Sequence, residues 1–105
     1  MASGLVLYGY WRSSAAYRVR IALAYKGLTF ERTEVHLLRD GGEQHSPAYR
    51  AINPQGLIPA LEIDGAVLNQ SLAIIEYLEE CHPSPTLLPG DSIARARIRA
   101  MALII

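Results

Sequence analysis

The feature that most constrains the fold is a two-residue turn, Asp64-Gly65, between two short apolar segments. Residues 59–63 and 66–68 have the length and composition of strands. An Asp-Gly pair adopts the positive φ angles of the tightest hairpin turns, so these segments are predicted to pair antiparallel. The clearest helical pattern of the chain follows at once over residues 70–81, with one apolar face and one rich in glutamate. The second half of the chain therefore predicts a β-hairpin followed by a helix.

The first half alternates between the two kinds of pattern. Residues 5–8 predict a buried strand, and residues 13–26 predict a helix that ends before Gly27. Residues 29–36 predict a second strand, and residues 43–51 a short helix made irregular by Pro47. The resulting order, β-α-β-α-β-β-α, predicts an α/β chain with one mixed sheet and helices on both faces. This is the order of the thioredoxin-like fold.

The last part of the chain has a different composition. Residues 82–90 contain three prolines and predict an extended linker. Asp91 is expected to cap a last helix, which ends in the apolar run from Met101 to Ile105. Because such a run needs a surface to cover it, we interpret this helix as the truncated start of a C-terminal all-α domain. The predicted boundaries are a thioredoxin-like domain at 1–82, a linker at 83–90 and the helix at 91–105.

Charge and cysteine content narrow the classes of function. Ten basic residues balance ten acidic ones, so no bulk charge favours nucleic acid or an anionic membrane as a partner. No secretory signal pattern precedes Tyr8, and no apolar stretch approaches the roughly 20 residues that span a bilayer. A single cysteine allows no internal disulfide. These features predict a cytoplasmic protein.

Three local patterns suit a thiol-containing peptide ligand. Arg12-Ser13-Ser14 lies before the first helix, where a hydroxyl and the positive helix end would favour a thiolate. A cis bond at Ile58-Pro59 would turn the Ile58 amide and carbonyl toward an extended peptide. Asn69-Gln70-Ser71 begins the strongest helix and suits a carboxylate. Each pattern also has an ordinary explanation, as a helix cap for the polar groups or a trans proline that begins a strand.

The absence of several motifs argues against dithiol redox chemistry, serine-hydrolase chemistry, phosphate binding and metal binding. There is no Cys-x-x-Cys, which argues against a glutaredoxin-like redox protein. No nucleophile-elbow or phosphate-binding glycine motif is present, and the three histidines lack metal-ligand spacing, so no metal site is expected.

Two longer segments carry a family resemblance. Residues 13–23 and 69–78 resemble the signatures of zeta-class glutathione transferases, the maleylacetoacetate isomerase family. Asn53-Pro54, followed by residues 58–61, is similar to the proline loop of that family. The likeness covers nearly the whole chain. It implies that glutathione is the cofactor and that the following residues bind it: Ser13, Ser14, Arg18, Gln44, Ile58, Pro59, Gln70 and Ser71.

The resemblance also implies a role for each group. Ser13 and Ser14 would lie beside the glutathione sulfur as the catalytic serines, with Ser13 preferred. Ile58 would pair its backbone with the cysteinyl part, next to a cis Pro59. Gln70 and Ser71 would hold the γ-glutamyl carboxylate. Gln44 would lie near the glycine end.

The implied activity is glutathione-dependent isomerisation of maleylacetoacetate to fumarylacetoacetate, a step of tyrosine and phenylalanine catabolism, by a homodimer. Arg12 is a candidate for binding the substrate carboxylates. One position departs from the family, because Ala15 stands where a cysteine is usual. The alternatives are a general glutathione transferase that conjugates electrophiles and a non-catalytic glutathione-binding fragment.

Overall fold

A computed structural model describes residues 4–104. These residues form a four-stranded sheet in the order β2-β1-β3-β4, in which β1 pairs parallel with β2 and the other pairs are antiparallel. The predicted mixed sheet and thioredoxin-like order are confirmed. No helix in this part of the chain is both long and apolar enough to span a membrane. The elements are β1 (Leu5–Gly9), α1 (Ser14–Tyr25), β2 (Glu31–Glu34), α2 (Pro47–Ile52), β3 (Ala60–Ile63), β4 (Ala66–Asn69), α3 (Ser71–Cys81) and α4 (Ser92–Ala102).

The two faces of the sheet are covered by different helices. Successive side chains of a strand point to opposite faces, which separates Leu7 from Tyr8 and Leu61 from Ala60. The leucines join a core with α1 and α3, whose fully buried members include Val19, Leu23, Ile74 and Leu78. Tyr8 and Ala60 instead pack near Tyr49 of α2. Full burial of each large aliphatic side chain contributes about 1.5–3 kcal/mol, so the face under α1 and α3, which has more of them, gains more from apolar burial than the face under α2.

The Asp64-Gly65 turn connects β3 to β4 as predicted. Both residues have positive φ, 49° and 87°, and Ile63 pairs with Ala66 across the turn. Glycine adopts such an angle without steric cost, which explains why the second position is not another residue type.

Two predicted elements are shorter than expected. The strand predicted at 29–36 is ordered as a strand only over Glu31–Glu34, because it lies at the sheet edge and pairs only with residues 6–9 of β1. The helix predicted at 43–51 is also wrong at its start. Residues 43–45 form a separate 3₁₀ turn, and α2 begins at Pro47 after an extended Ser46. Proline removes the amide that a longer helix would need and restricts the residue before it to an extended conformation.

The last helix begins as predicted, because the Asp91 side chain accepts a hydrogen bond from the Ala94 amide at 2.9 Å. It ends at Ala102 rather than continuing through the apolar run. Leu103 and Ile104 are exposed beyond it, and Ile105 lies outside the described residues.

A buried lysine joins the C-terminal ends of α1 and α3. The Lys26 ammonium donates to the Glu79 carboxylate at 2.8 Å and to the carbonyls of His82 and Pro85 at 2.6 and 2.7 Å. Glu79 also accepts from the Thr86 hydroxyl and the Leu87 amide. The proline-rich segment, residues 82–90, contains no helix or strand, as predicted. The hydrogen bonds of Lys26 and Glu79 hold it against α1 and α3.

Candidate functional site

A cleft of about 270 Å³ lies where three segments meet. The first turns of α1 contribute Ala15 and Arg18 to its lining. The loop before β3 contributes residues 57–59, and the start of α3 contributes residues 70–72. Five of the eight residues predicted to bind a ligand therefore come together here: Arg18, Ile58, Pro59, Gln70 and Ser71.

The main chain at Ile58 is free to pair with a ligand. The Ile58-Pro59 bond is cis, as the resemblance implied. Strand pairing begins only at Ala60, and neither the amide nor the carbonyl of Ile58 has a hydrogen-bond partner among residues 4–104. Unpaired main-chain groups beside a strand are the groups that an extended peptide binds by strand addition.

The N-terminal end of α3 is also open. Gln70 precedes it with a φ of 70° and makes no side-chain capping hydrogen bond. The amides of Ser71, Leu72 and Ala73 have no partner in the described part of the chain, whereas Ile74 donates to the Gln70 carbonyl. Three unpaired amides at the positive end of a helix favour an anion such as a carboxylate.

Arg18 adds positive charge to the same cleft. Its Nε is buried and has no hydrogen-bond partner among the described residues. No acidic side chain lines the cleft within residues 4–104. An arginine and an open helix N-terminus together therefore make the cleft suitable for a ligand with carboxylate groups.

The two serines lie beside the cleft rather than in its lining. Ser13 is the N-cap of α1, and its hydroxyl oxygen accepts from the Ala16 amide at 3.1 Å. Capping uses a lone pair of that oxygen and leaves the hydroxyl proton available for another acceptor. Ser14 is exposed, and the amides of Ser14 and Ala15 have no partner among residues 4–104. Ala15 connects this turn to the cleft.

Two other predicted residues lie elsewhere. Gln44 is in the 3₁₀ turn before α2, and its Oε1 is buried against Gly42 without a described partner. Arg12 does not line the cleft, and its guanidinium lies over the Trp11 ring, 4.8 Å from the ring centroid.

A second cavity, of about 570 Å³, lies between β2 and α2. Its lining includes three acidic side chains, Glu34, Asp40 and Glu43. These charges repel carboxylates, so the smaller cleft is the better candidate for an anionic peptide despite its size.

Sequence reasoning missed the residues that support the cleft from behind. Asn53 belongs to the segment that resembles the proline loop and was given no role, yet its side chain is fully buried and donates a hydrogen bond to the Leu57 carbonyl. Tyr49 donates to the same carbonyl and was not singled out. No local pattern marks either residue, because asparagine is usually an exposed turn residue and tyrosine is only intermediate in its tendency to be buried.

Comparison with known proteins identifies the family of this chain. Residues 12–81 match the family described as "Glutathione S-transferase, N-terminal domain". The maleylacetoacetate isomerase of Pseudomonas aeruginosa is 57% identical over 100 residues, which are 94% of this chain and 47% of that protein. The chain thus spans about half the length of the curated relatives it matches.

Two solved structures are similar over 95% of this chain and 46% of their own chains. One is a holo structure of a maleylpyruvate isomerase, a bacterial zeta-class glutathione S-transferase, with a TM-score of 0.90 and 49% identity. The other is the maleylacetoacetate isomerase of Methylobacterium extorquens AM1 with bound malonate and glutathione, with a TM-score of 0.88 and 51% identity. The family match covers the cleft and all three segments that form it, and the chain therefore belongs to the glutathione S-transferase family, as an N-terminal domain.

Proposed function

We propose that this chain is the glutathione-binding part of a zeta-class glutathione transferase. The whole protein isomerises maleylacetoacetate to fumarylacetoacetate with glutathione as its cofactor. The names of the relatives support the activity. The observation that carries the proposal is the cleft, in which the free main chain of Ile58 faces the same space as the open start of α3 and Arg18.

The cleft fits a tripeptide that carries carboxylates and a thiol. The amides at Ser71 and Leu72, with the Ser71 hydroxyl and the Gln70 side chain, hold the γ-glutamyl carboxylate. The Ile58 amide and carbonyl pair with the cysteinyl unit next to Pro59. Arg18 contributes a favourable charge, and Gln44 lies toward the glycine end.

Ser13 and Ser14, at the start of α1, would then orient the glutathione sulfur. When bound, glutathione supplies a thiolate that adds reversibly to the activated double bond of the substrate, which permits rotation before the thiolate leaves. Ser13 would donate a hydrogen bond from its hydroxyl to the sulfur while its oxygen still caps α1. Ser14, with its free amide, is the alternative donor. With Ala15 beside them, this turn supplies no thiol of its own. Arg12 remains a candidate for the substrate carboxylates.

Maleylpyruvate is a second candidate substrate. A structure with a TM-score of 0.90 to this chain is named as a maleylpyruvate isomerase. One alternative is a general glutathione transferase, in which the same sulfur stays bonded to the electrophile in the product. The other alternative is a non-catalytic glutathione-binding fragment.

The remaining proposals concern the whole protein. We propose a cytoplasmic homodimer. Residues 1–82 form its thioredoxin-like domain, residues 83–90 are the linker, and residues 91–105 begin a helical domain. The family match to residues 12–81 ends near the proposed boundary and supports this division.

The function is tested by turnover of the whole protein with glutathione far below the substrate concentration. We expect many molecules of fumarylacetoacetate per glutathione, with all of the glutathione recovered. Stoichiometric consumption of glutathione as a conjugate would replace the isomerase proposal with the general transferase. A parallel assay with maleylpyruvate ranks the two substrates by kcat/KM.

A further inference from the structure

The peptide group between Leu57 and Ile58 is held from one side. Its oxygen accepts a hydrogen bond from the Tyr49 hydroxyl at 2.6 Å and another from Asn53 Nδ2 at 2.9 Å. Both donors are buried, with 4% of Tyr49 and 0% of Asn53 exposed. Two buried donors on one carbonyl oxygen fix the plane of this peptide group.

The other side of the same peptide group is the Ile58 amide. The Leu57–Ile58 bond is not among the cis bonds, so its N–H points away from its C=O. Ile58 lines the cleft, and its amide has no partner among residues 4–104. Anchoring the oxygen on the inside therefore directs the N–H outward. Hydrogen bonds to the oxygen also polarise the peptide group and make its N–H a stronger donor.

Asn53 also contacts a residue close to the start of α3. Its Oδ1 accepts from Asn69 Nδ2 at 3.4 Å, in addition to the Gln55 amide at 3.2 Å. Asn69 directly precedes Gln70 at the start of α3. One buried side chain thus contacts both the loop that carries Ile58 and the segment that leads into the carboxylate-binding helix end.

We propose that Asn53, together with Tyr49, is a positioning residue for glutathione. The pair aims the Ile58 amide at the cysteinyl unit, and Asn53 sets the spacing between Ile58 and the start of α3. This inference rests on the proposed function. Burial raises the pKa of Tyr49, so its hydroxyl keeps its proton and remains a donor at neutral pH.

The test compares Tyr49→Phe and Asn53→Ala with a matched control, Tyr8→Phe. The control also removes a partly buried tyrosine hydrogen bond, from Tyr8 to Glu62 at 3.0 Å, and this bond does not touch the cleft loop. Glutathione affinity is measured by calorimetry at a temperature where each variant is folded. The carbonyl carbon shift of Leu57 is measured by NMR without ligand, because it reports the anchoring bond directly.

We expect glutathione to bind about 5–10-fold more weakly to each test variant, as the loss of one aligned hydrogen bond predicts. The Leu57 carbonyl shift should move in both test variants and stay fixed in Tyr8→Phe, whose affinity should remain within about twofold of the parent. If Asn53→Ala does not fold, Tyr49→Phe decides the question by the same two measurements.

Unchanged affinity in Tyr49→Phe, despite a shifted Leu57 carbonyl, would overturn the inference and leave the proposed function standing. An equal loss in Tyr8→Phe would also overturn it, because the effect would then be general destabilisation. Failure of the parent chain to bind glutathione at all would be a distinct result, and it would remove the proposed function together with the inference.

Discussion

Polar groups are paired at the C-terminal ends of α1 and α3 and unpaired at their N-terminal ends, among the residues that the structure describes. At the C-terminal ends, the Lys26 ammonium, which is fully buried, donates three hydrogen bonds to described acceptors. At the N-terminal ends, the amides of Ser71 and Leu72 and the Nε of Arg18 have no described partner. The helix dipole favours a cation at the C-terminus and an anion at the N-terminus. The protein itself supplies the cation at the C-terminal ends, whereas we propose that a ligand supplies the anion in the cleft.

This contrast separates stability from binding on the same two helices. A paired buried charge is costly to disrupt, because its former partners remain buried without it. Unpaired groups that face a cleft are solvated until a ligand replaces the water. Changes at the Lys26 end should therefore alter the free energy of unfolding, and changes at the cleft should alter ligand affinity.

The largest expected effect is that of Lys26→Met. It removes the only cation that contacts Glu79 among the described residues and the Lys26 hydrogen bonds to the carbonyls of His82 and Pro85. We expect a loss of about 3–5 kcal/mol in the free energy of unfolding. Urea unfolding measures this loss. Arg99→Met is the matched control, because the Arg99–Glu76 pair at 3.0 Å is about half exposed and should cost less than about 1 kcal/mol. Equal losses in the two variants would refute the structural role of the buried cluster.

Acid should act through the same cluster. Burial opposes ionisation of Glu79, but hydrogen bonds from Lys26, Thr86 and the Leu87 amide outweigh it and lower the pKa of Glu79 from 4.5 to about 2. Because the folded state favours the ionised form of Glu79, this carboxylate stabilises the fold above pH 4.5. The stabilisation is lost as the pH falls toward 2 and the carboxylate takes up a proton. Urea unfolding between these pH values should show a steeper loss of stability in the parent chain than in Glu79→Gln. Parallel curves would contradict this assignment.

At the cleft, Ser71→Ala should change binding more than stability. Loss of a hydrogen bond to a charged group should weaken glutathione binding by about 10–100-fold, while the free energy of unfolding changes by less than about 1 kcal/mol. Ser92→Ala is the control, since Ser92 is the first residue of α4 as Ser71 is of α3, and it lies away from the cleft. A similar loss of affinity in Ser92→Ala would argue against a specific site at α3.

The smallest expected effect distinguishes the two serines. Ser13→Ala removes the α1 cap and should cost about 1 kcal/mol of stability, as caps usually do. Ser14 is exposed and makes no described hydrogen bond, so Ser14→Ala should cost less than about 0.5 kcal/mol. Thermal unfolding of the two variants measures the difference, and equal costs would show that the cap contributes nothing.

Most elements of the fold could be predicted from residues that are neighbours in the sequence. The Asp64-Gly65 turn, the Asp91 cap and the apolar face of α3 all depend on neighbouring residues, and the structure contains each of them. The extent of β2 was not predictable in this way, because its ladder is limited by β1, a strand more than twenty residues earlier.

The site was predictable in part for the same reason. The start of α3 follows from a local helix signal, whereas the cis bond at Ile58-Pro59 was implied only by the family resemblance. The roles of Lys26 and Asn53 do not follow from local signals, because each acts through partners distant in sequence or across a loop, and nothing in a lysine before Gly27 indicates full burial. Buried polar side chains of this kind become visible only when the chain is folded.

The most direct test of the account is a titration of this chain with glutathione, followed by backbone amide shifts. We expect millimolar glutathione to shift the backbone amide resonances of four cleft residues with one common dissociation constant: Ala15, Ile58, Ser71 and Leu72. The amide resonances of Lys26 and Leu87, in the cluster at the C-terminal ends of α1 and α3, should stay unchanged. Shifts confined to the acidic cavity between β2 and α2, or none at the four cleft amides, would contradict the claim that this cleft is the glutathione site.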